Sequence, residues 1–292
     1  MPAASANSPI DSFRRLAEKP VARYAVLVAG IVACIGLMIP VLPFLASARG
    51  VAGPTATDAM HPAMAALALV LGSAACCAVA CVVGRIVNAA VGIFVLGCGL
   101  AIISGRSGTI IDAAFGGEKL LPIALQTLGW AAAVAAMSAV VFRVSGPLLD
   151  MPARTPGGPF PAEVFNADAF RGLAAGLLAV LAMWALSRTE LKGQALGSAV
   201  VGGVATAMLG RRLVGSSQPI LLMAAPVLAV GVAQLWTALT FQGALDLAVA
   251  QRTLPGWSVA MPIDIAAGAM LGVPIGLGWT KPTEDEDILS GD

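Results

Sequence analysis

Eight apolar stretches follow one another along this chain, at residues 25–46, 63–83, 86–103, 121–142, 172–186, 193–209, 219–241 and 258–279. A helix needs about 20 apolar residues to cross a hydrocarbon core of roughly 30 Å. Inside lipid the backbone must satisfy its own hydrogen bonds, so stretches of this length fold as helices. Composition agrees: only 11% of the 292 residues are charged and 58% are apolar, with a mean hydropathy of +0.89. Soluble domains carry about 25% charged residues. The expected fold is all-α, a polytopic integral membrane protein with about eight transmembrane helices.

A second feature divides those eight into two sets. Leu71-Gly72-Ser73-Ala74, Val79-Ala80 and Gly84-Arg85 return as Leu196-Gly197-Ser198-Ala199, Val204-Ala205 and Gly210-Arg211. Gly108 to Asp112 and Pro122 find counterparts in Gly243 to Asp246 and Pro255. Four spans per half return the chain to its starting side, so the halves are expected to be parallel repeats about an axis along the membrane normal. The organisation then reads 1–24, an amino-terminal segment; 25–142, the first four-helix repeat; 143–171, a linker rich in proline and glycine; 172–279, the second repeat; and 280–292, a tail with the acidic run Glu284 to Asp287.

Local signals add detail. Ala46-Ser47-Ala48 resembles a signal-peptidase site, but the preceding 22 apolar residues exceed the usual 7–15 or so of a signal-peptide core, so the first span is retained. Pro40 and Pro43 should distort its last turns. Gly84-Arg85 alone separates the second and third spans, which implies a tight hairpin. The fifth and sixth spans are short for a full crossing. Of the 17 lysines and arginines, 11 fall on the side of both termini and 6, Arg49, Arg106, Lys119, Arg188, Lys192 and Arg252, in the loops on the other. Basic residues are retained in the cytoplasm, so the protein is expected in the cytoplasmic membrane with both termini on the cytoplasmic side. Trp184, Trp236, Trp257 and Trp279 fall near the two interfaces, as aromatic belts do.

Several chemistries are excluded. A formal charge of +1 gives no footprint for nucleic acid. His61 is the one histidine, which removes most His-based metal and triad chemistry. Cys34, Cys76, Cys77, Cys81 and Cys98 all lie in apolar stretches, where free cysteine serves as a small apolar filler. Cys77 and Cys81, four residues apart on one face, are the single arrangement that would suit a soft metal. No phosphate-binding loop, zinc-protease, C-x-x-C or haem-attachment motif is present. The chain is expected to be no enzyme and to carry no cofactor or metal, with the lipid bilayer as its certain partner and a homo-oligomer or larger membrane complex as a further one.

Asp264 is the acidic residue set well inside an apolar span. A carboxylate at a helix centre costs about 2.5–3.5 kcal/mol on insertion scales and is a functional hypothesis by default. Counted from residue 258 it lies roughly 9 Å deep, level with Gln234 on the seventh span, and Gln126 on the fourth is near the same side. Together they would line a solute or ion pathway. If the helix instead begins after Pro262, Asp264 sits near its start, in the interface. Asp112 and Asp246 occupy matched outer loops, in segments that would form amphipathic surface helices with solvated acids or, alternatively, short interfacial or re-entrant helices guarding the pathway. Arg85 and Arg211 follow matched glycines at the opposite turns, where they would anchor topology. Gly268, Gly272 and Gly276, with Gly172 and Gly176, and Gly193 and Gly197, form small-residue stripes that favour close helix packing. The leading expectation is movement of a small solute or ion between the two repeats. The competing one is a non-catalytic accessory or structural subunit of a larger membrane complex, favoured by those stripes and by short loops.

Overall fold

The computed structural model describes residues 20–148, 167–214, 219–241 and 243–280. Most of the amino-terminal segment and of the linker, and the acidic tail with Glu284 to Asp287, lie outside them. Eight helices are long and apolar enough to cross a membrane, and no strand occurs among the described residues. The protein is an all-α, multi-pass membrane protein.

The first span is α1 (Pro20–Met38), which tightens into a 3-10 turn over Ile39–Leu45. Pro40 and Pro43 lack the N–H groups that would continue the α ladder, and the narrower turn accommodates them. Then come α2 (Pro62–Ile86), α3 (Ala89–Arg106), the short α4 (Ile110–Gly116) and α5 (Leu120–Ser145). After the linker follow α6 (Ala167–Ala174), α7 (Leu177–Leu186), α8 (Lys192–Val214), α9 (Ile220–Thr240), the short α10 (Leu245–Ala250) and α11 (Pro262–Trp279). Residues 46–61, 107–119, 187–191 and 243–261 gather on one side, the cap face. The start of α1, the ends of α2, α5, α8 and α11, and the 87–88 turn lie on the other, the terminal face.

Three boundaries differ from the sequence reading. The α2–α3 turn is Val87-Asn88, with Gly84 and Arg85 still helical, because the Asn88 side chain accepts the Val91 N–H at 2.8 Å and starts α3. The fifth span is the broken pair α6–α7, whose short bonds Ala175 N to Gly172 O and Gly176 N to Leu173 O mark the joint. The break brings Gly176 against the Ala225 carbonyl of α9, and a Cβ there would come within 2.3 Å of it. The sixth span is not short: α8 runs 23 residues.

A helix that is apolar and small-sided all round belongs in the interior, and α11 is the most buried of the eight spans. It packs most extensively on α8, and also on α3, α9 and α5. Its glycines set the distance: a Cβ on Gly268, Gly272 or Gly276 would stand 2.4, 2.1 and 2.5 Å from Ala199, Val200 and Val204 of α8. Toward α3, Gly97 meets the Met270 carbonyl, which loses its ladder donor because Pro274 stands four residues on. Gly172 is buried in α6. Gly193 and Gly197 have open space around them, so the α8 stripe does not begin there.

Between the chain halves the main contacts are α3 with α11 and α5 with α9, joined by α5 with α11. Arg85 of α2 donates to the Val144 carbonyl at the end of α5 at 3.0 Å. Arg211 of α8 donates to the Leu277 carbonyl at the end of α11 at 2.8 Å. Each arginine thus reaches the last turn of a helix, where a cation complements the dipole.

Replacing Gly272 with valine forces α8 and α11 apart and should destabilise the protein by about 1–3 kcal/mol. Gly197→Ala, with free space, should be neutral or slightly stabilising. Thermal unfolding in mild detergent checks both, and equal midpoints would contradict the packing.

Candidate functional site

Three helix ends on the cap face converge on one carboxylate. Proline suits the first helical position, where its missing N–H is not needed, and α11 accordingly starts at Pro262. Asp264 is then the third residue, and its Oδ2 accepts the Met261 N–H at 3.0 Å. The helix start reduces its depth from the sequence count of roughly 9 Å to about 3 Å. Yet it is not in headgroup water, for Asp264 is 1% exposed.

The reason is a positive partner. Lys192 opens α8, fixed by Gln194 Oε1, which accepts both the Thr189 N–H at 2.7 Å and the Thr189 hydroxyl at 2.6 Å. Its Nζ lies 3.0 Å from each Asp264 oxygen, with the side chain only 16% exposed. The last turn of α3 completes the ring. Ser104 Oγ donates to Asp264 Oδ1 at 2.7 Å, Lys192 Nζ donates to Ser107 Oγ at 3.1 Å, and Ser107 Oγ donates to the Ser104 carbonyl at 3.1 Å. Ser104 and Ser107 are buried. Every acceptor position on the carboxylate is filled, as a buried charge requires. The ring ties α3, from the first half, to α8 and α11, from the second.

The two short cap helices cover this ring. Ile110 and Ala113 of α4 cluster with Met261, Leu245 and Val249, so α4 and α10 form a joint apolar lid. Asp112 holds the start of α4 by accepting the Thr109 N–H at 2.6 Å and its hydroxyl at 3.0 Å. Asp246 is exposed and accepts the Leu247 N–H at 2.9 Å.

The glutamines do not converge on Asp264. Gln234 clamps α9 to α5 and to the segment before α11. Its Oε1 accepts the Thr127 hydroxyl at 2.5 Å and its Nε2 donates to the Trp257 and Ala260 carbonyls, both at 3.0 Å. Gln126 donates to Thr57 Oγ1 at 2.8 Å. It faces a cavity of about 50 Å³ bounded by Pro54, Thr55, Ser107, Trp130 and Pro262. That cavity reaches the ring from the cap face. At the opposite end of the α3–α11 seam, a larger cavity of about 360 Å³ is lined by Asn88, Val91, Phe94, Arg211, Pro274 and Gly278. Among the described residues no three His, Cys, Asp or Glu side chains gather as a metal-sized cluster.

The cap loop has its own polar cluster. Glu118 accepts the hydroxyls of Thr55 at 2.5 Å and Thr57 at 2.9 Å, and Arg49 donates to the Phe115 carbonyl. Burial pushes the Glu118 carboxyl above its ordinary value, against the two hydroxyls and with help from Asp58. Burial also raises Asp58, opposed by Arg49 and aided by Asp112.

Sequence reasoning singled out Asp264 but placed Lys192 among the loop cations, and it passed over Ser104 and Ser107. The available signal was charge balance: a lone intramembrane acid needs a cation, and Lys192 and Lys119 are the two cap-face lysines at the mouths of spans. No protein-family model matches the chain, and no curated protein or solved structure is similar to it.

Removing one partner of a buried pair leaves the other charge stranded, at about 3–5 kcal/mol. Asp264→Asn should therefore lower the unfolding midpoint sharply, while the double change Lys192→Met with Asp264→Leu recovers most of it. A double variant no better than the single would contradict the pairing. In the cap, a carboxyl raised in the folded state stabilises fully below its ordinary value and loses that contribution as pH rises through the raised one. Hydrogen exchange at residues 53–58, corrected for chemical rate, should quicken as pH rises above the ordinary carboxylate range, and Glu118→Gln should flatten that rise.

Proposed function

We propose that this protein moves a small solute or ion across the membrane along the seam where α3 meets α8 and α11. One observation carries the reading: the seam is bolted by a polar ring at its cap end and opens into the 360 Å³ cavity at its terminal end. Between them, Gly97 and Met270 hold the helices in close contact. A pathway closed at one end and open at the other is one of the two conformations alternating access needs. Rocking the halves about the Gly97 contact would break the ring and close the terminal cavity.

The reading includes two parallel repeats. Exchanging the halves turns the α3–α11 contact into α9–α5 and leaves α5–α11 on the axis, as a two-fold relation requires. The same exchange maps Arg85 on Val144 onto Arg211 on Leu277. The terminal face is assigned to the cytoplasm from the excess of lysine and arginine there. No covalent chemistry is assigned to the site, so the protein is read as a non-enzyme.

The accessory-subunit reading rests on a different fact, that Asp264 is already fully satisfied by its neighbours. Accessibility separates the two. In a cysteine-free background, Val91→Cys lines the terminal cavity and Ile103→Cys the cap cavity. Transport predicts that a membrane-impermeant thiol reagent labels each from its own side, and that blocking Val91→Cys with a bulky reagent changes the Ile103→Cys rate at least several-fold. A subunit predicts independent labelling, with Ile103→Cys unreactive throughout.

A further inference from the structure

We infer that a cavity of about 190 Å³ at the cap end of α7 binds the headgroup of an aminophospholipid, a phosphodiester joined to an ammonium group. The site stands apart from the Asp264 ring and does not depend on the transport reading. Its walls come from the end of α7 with residues 187–190, from the end of α10, and from the segment leading to α11. Gly256 seats that segment on α7, since a Cβ there would stand 2.5 Å from the Met183 carbonyl. The apolar part of the lining is Ile110, Val249, Leu254 and Val259. The charged part is Arg188, Arg252 and Glu190.

These three charges line one cavity without pairing: among the described residues, no ion pair joins Glu190 to either arginine. Arg188 is steadied by its own helix. Its Nε donates to the Ala185 carbonyl at 3.1 Å, and its guanidinium lies 5.6 Å from the centre of the Trp184 ring, a cation–π contact. Arg252 has a φ of 54° at the end of α10, a left-handed position that glycine would fill without strain. Arginine in that place sets a second guanidinium on the cavity wall. Two guanidinia from separate walls suit a phosphodiester, whose two anionic oxygens diverge from phosphorus and take charge-assisted hydrogen bonds. Glu190 then receives the ammonium. A lone anion would leave Glu190 unpaired, and a lone cation would leave the arginines so. Position makes the ligand a lipid. Trp184, on the cavity wall, continues an exposed stripe through Leu181 and Leu177 on the same face of α7. Acyl chains would lie along that stripe for about 10 Å. A bound headgroup thus ties α10 to α7 and steadies the lid.

The test uses the full chain in a mild maltoside detergent, with lipid binding read by native mass spectrometry. Dihexanoyl phosphatidylethanolamine is compared with dihexanoyl phosphatidylglycerol, which lacks the ammonium. The expected result is about tenfold tighter binding of the ethanolamine lipid, the worth of one charged hydrogen bond. Glu190→Gln should bring the two lipids level. Arg252→Gly should weaken both while keeping at least the parent's unfolding midpoint, because glycine relieves the left-handed residue. Free O-phosphoethanolamine, which has the charges without the chains, should compete poorly. Competition at the lipid's own concentration would overturn the lipid in favour of a soluble zwitterion. Equal binding of both lipids to the parent and to both variants would overturn the site itself.

Discussion

A carboxylate taken out of water must find a positive charge and enough donors to replace its hydration, and in this protein that demand falls on Asp264. Meeting it fixes three helix ends at once. The lysine comes from the first residue of α8, the Ser104 hydroxyl from the last turn of α3, and a backbone N–H from the residue before α11, while Ser107 accepts from the lysine. The apolar lid of α4 and α10 follows from the same requirement, since a partly wetted pair would be weaker and mobile. The ring therefore defines the cap end of the contact between the two halves of the chain.

The rest of that contact is set by shape. Lipid supplies no hydrophobic drive between helices, so association depends on how closely backbones approach. The glycines of α11 give α8 a groove in which any side chain would collide, and Gly97 does the same for α3. Pro274 and Gly278 border the cavity at the terminal end of the seam, which is less tightly filled. One helix thus presents a polar bolt, a close backbone crossing and an open cavity in succession. That gradient along α11 is the physical basis for reading the seam as a pathway.

Much of the fold was legible in the sequence because span length and apolarity are one-dimensional signals. Eight spans, the α-only class and the isolation of Asp264 all follow from them. Local punctuation was harder. Pro262 and not Ser258 starts α11, and Asn88 caps α3, because a single side chain decides each terminus. The convergence of Lys192, Ser104 and Asp264 was not legible, since residues 160 and 72 positions away in the chain are brought together only by packing. Gln234 misled for the same reason: a polar residue at a plausible depth was already occupied by Thr127 and two carbonyls.

The account's central claim is that the two ends of the α3–α11 seam open in alternation. Double electron–electron resonance in nanodiscs measures this directly, with spin-label pairs at exposed positions Arg106 and Leu191 across the cap end, and at Val82 and Arg212 across the terminal end. The account predicts two distance populations for each pair, the longer cap distance occurring with the shorter terminal one. A single narrow population at both ends would contradict it.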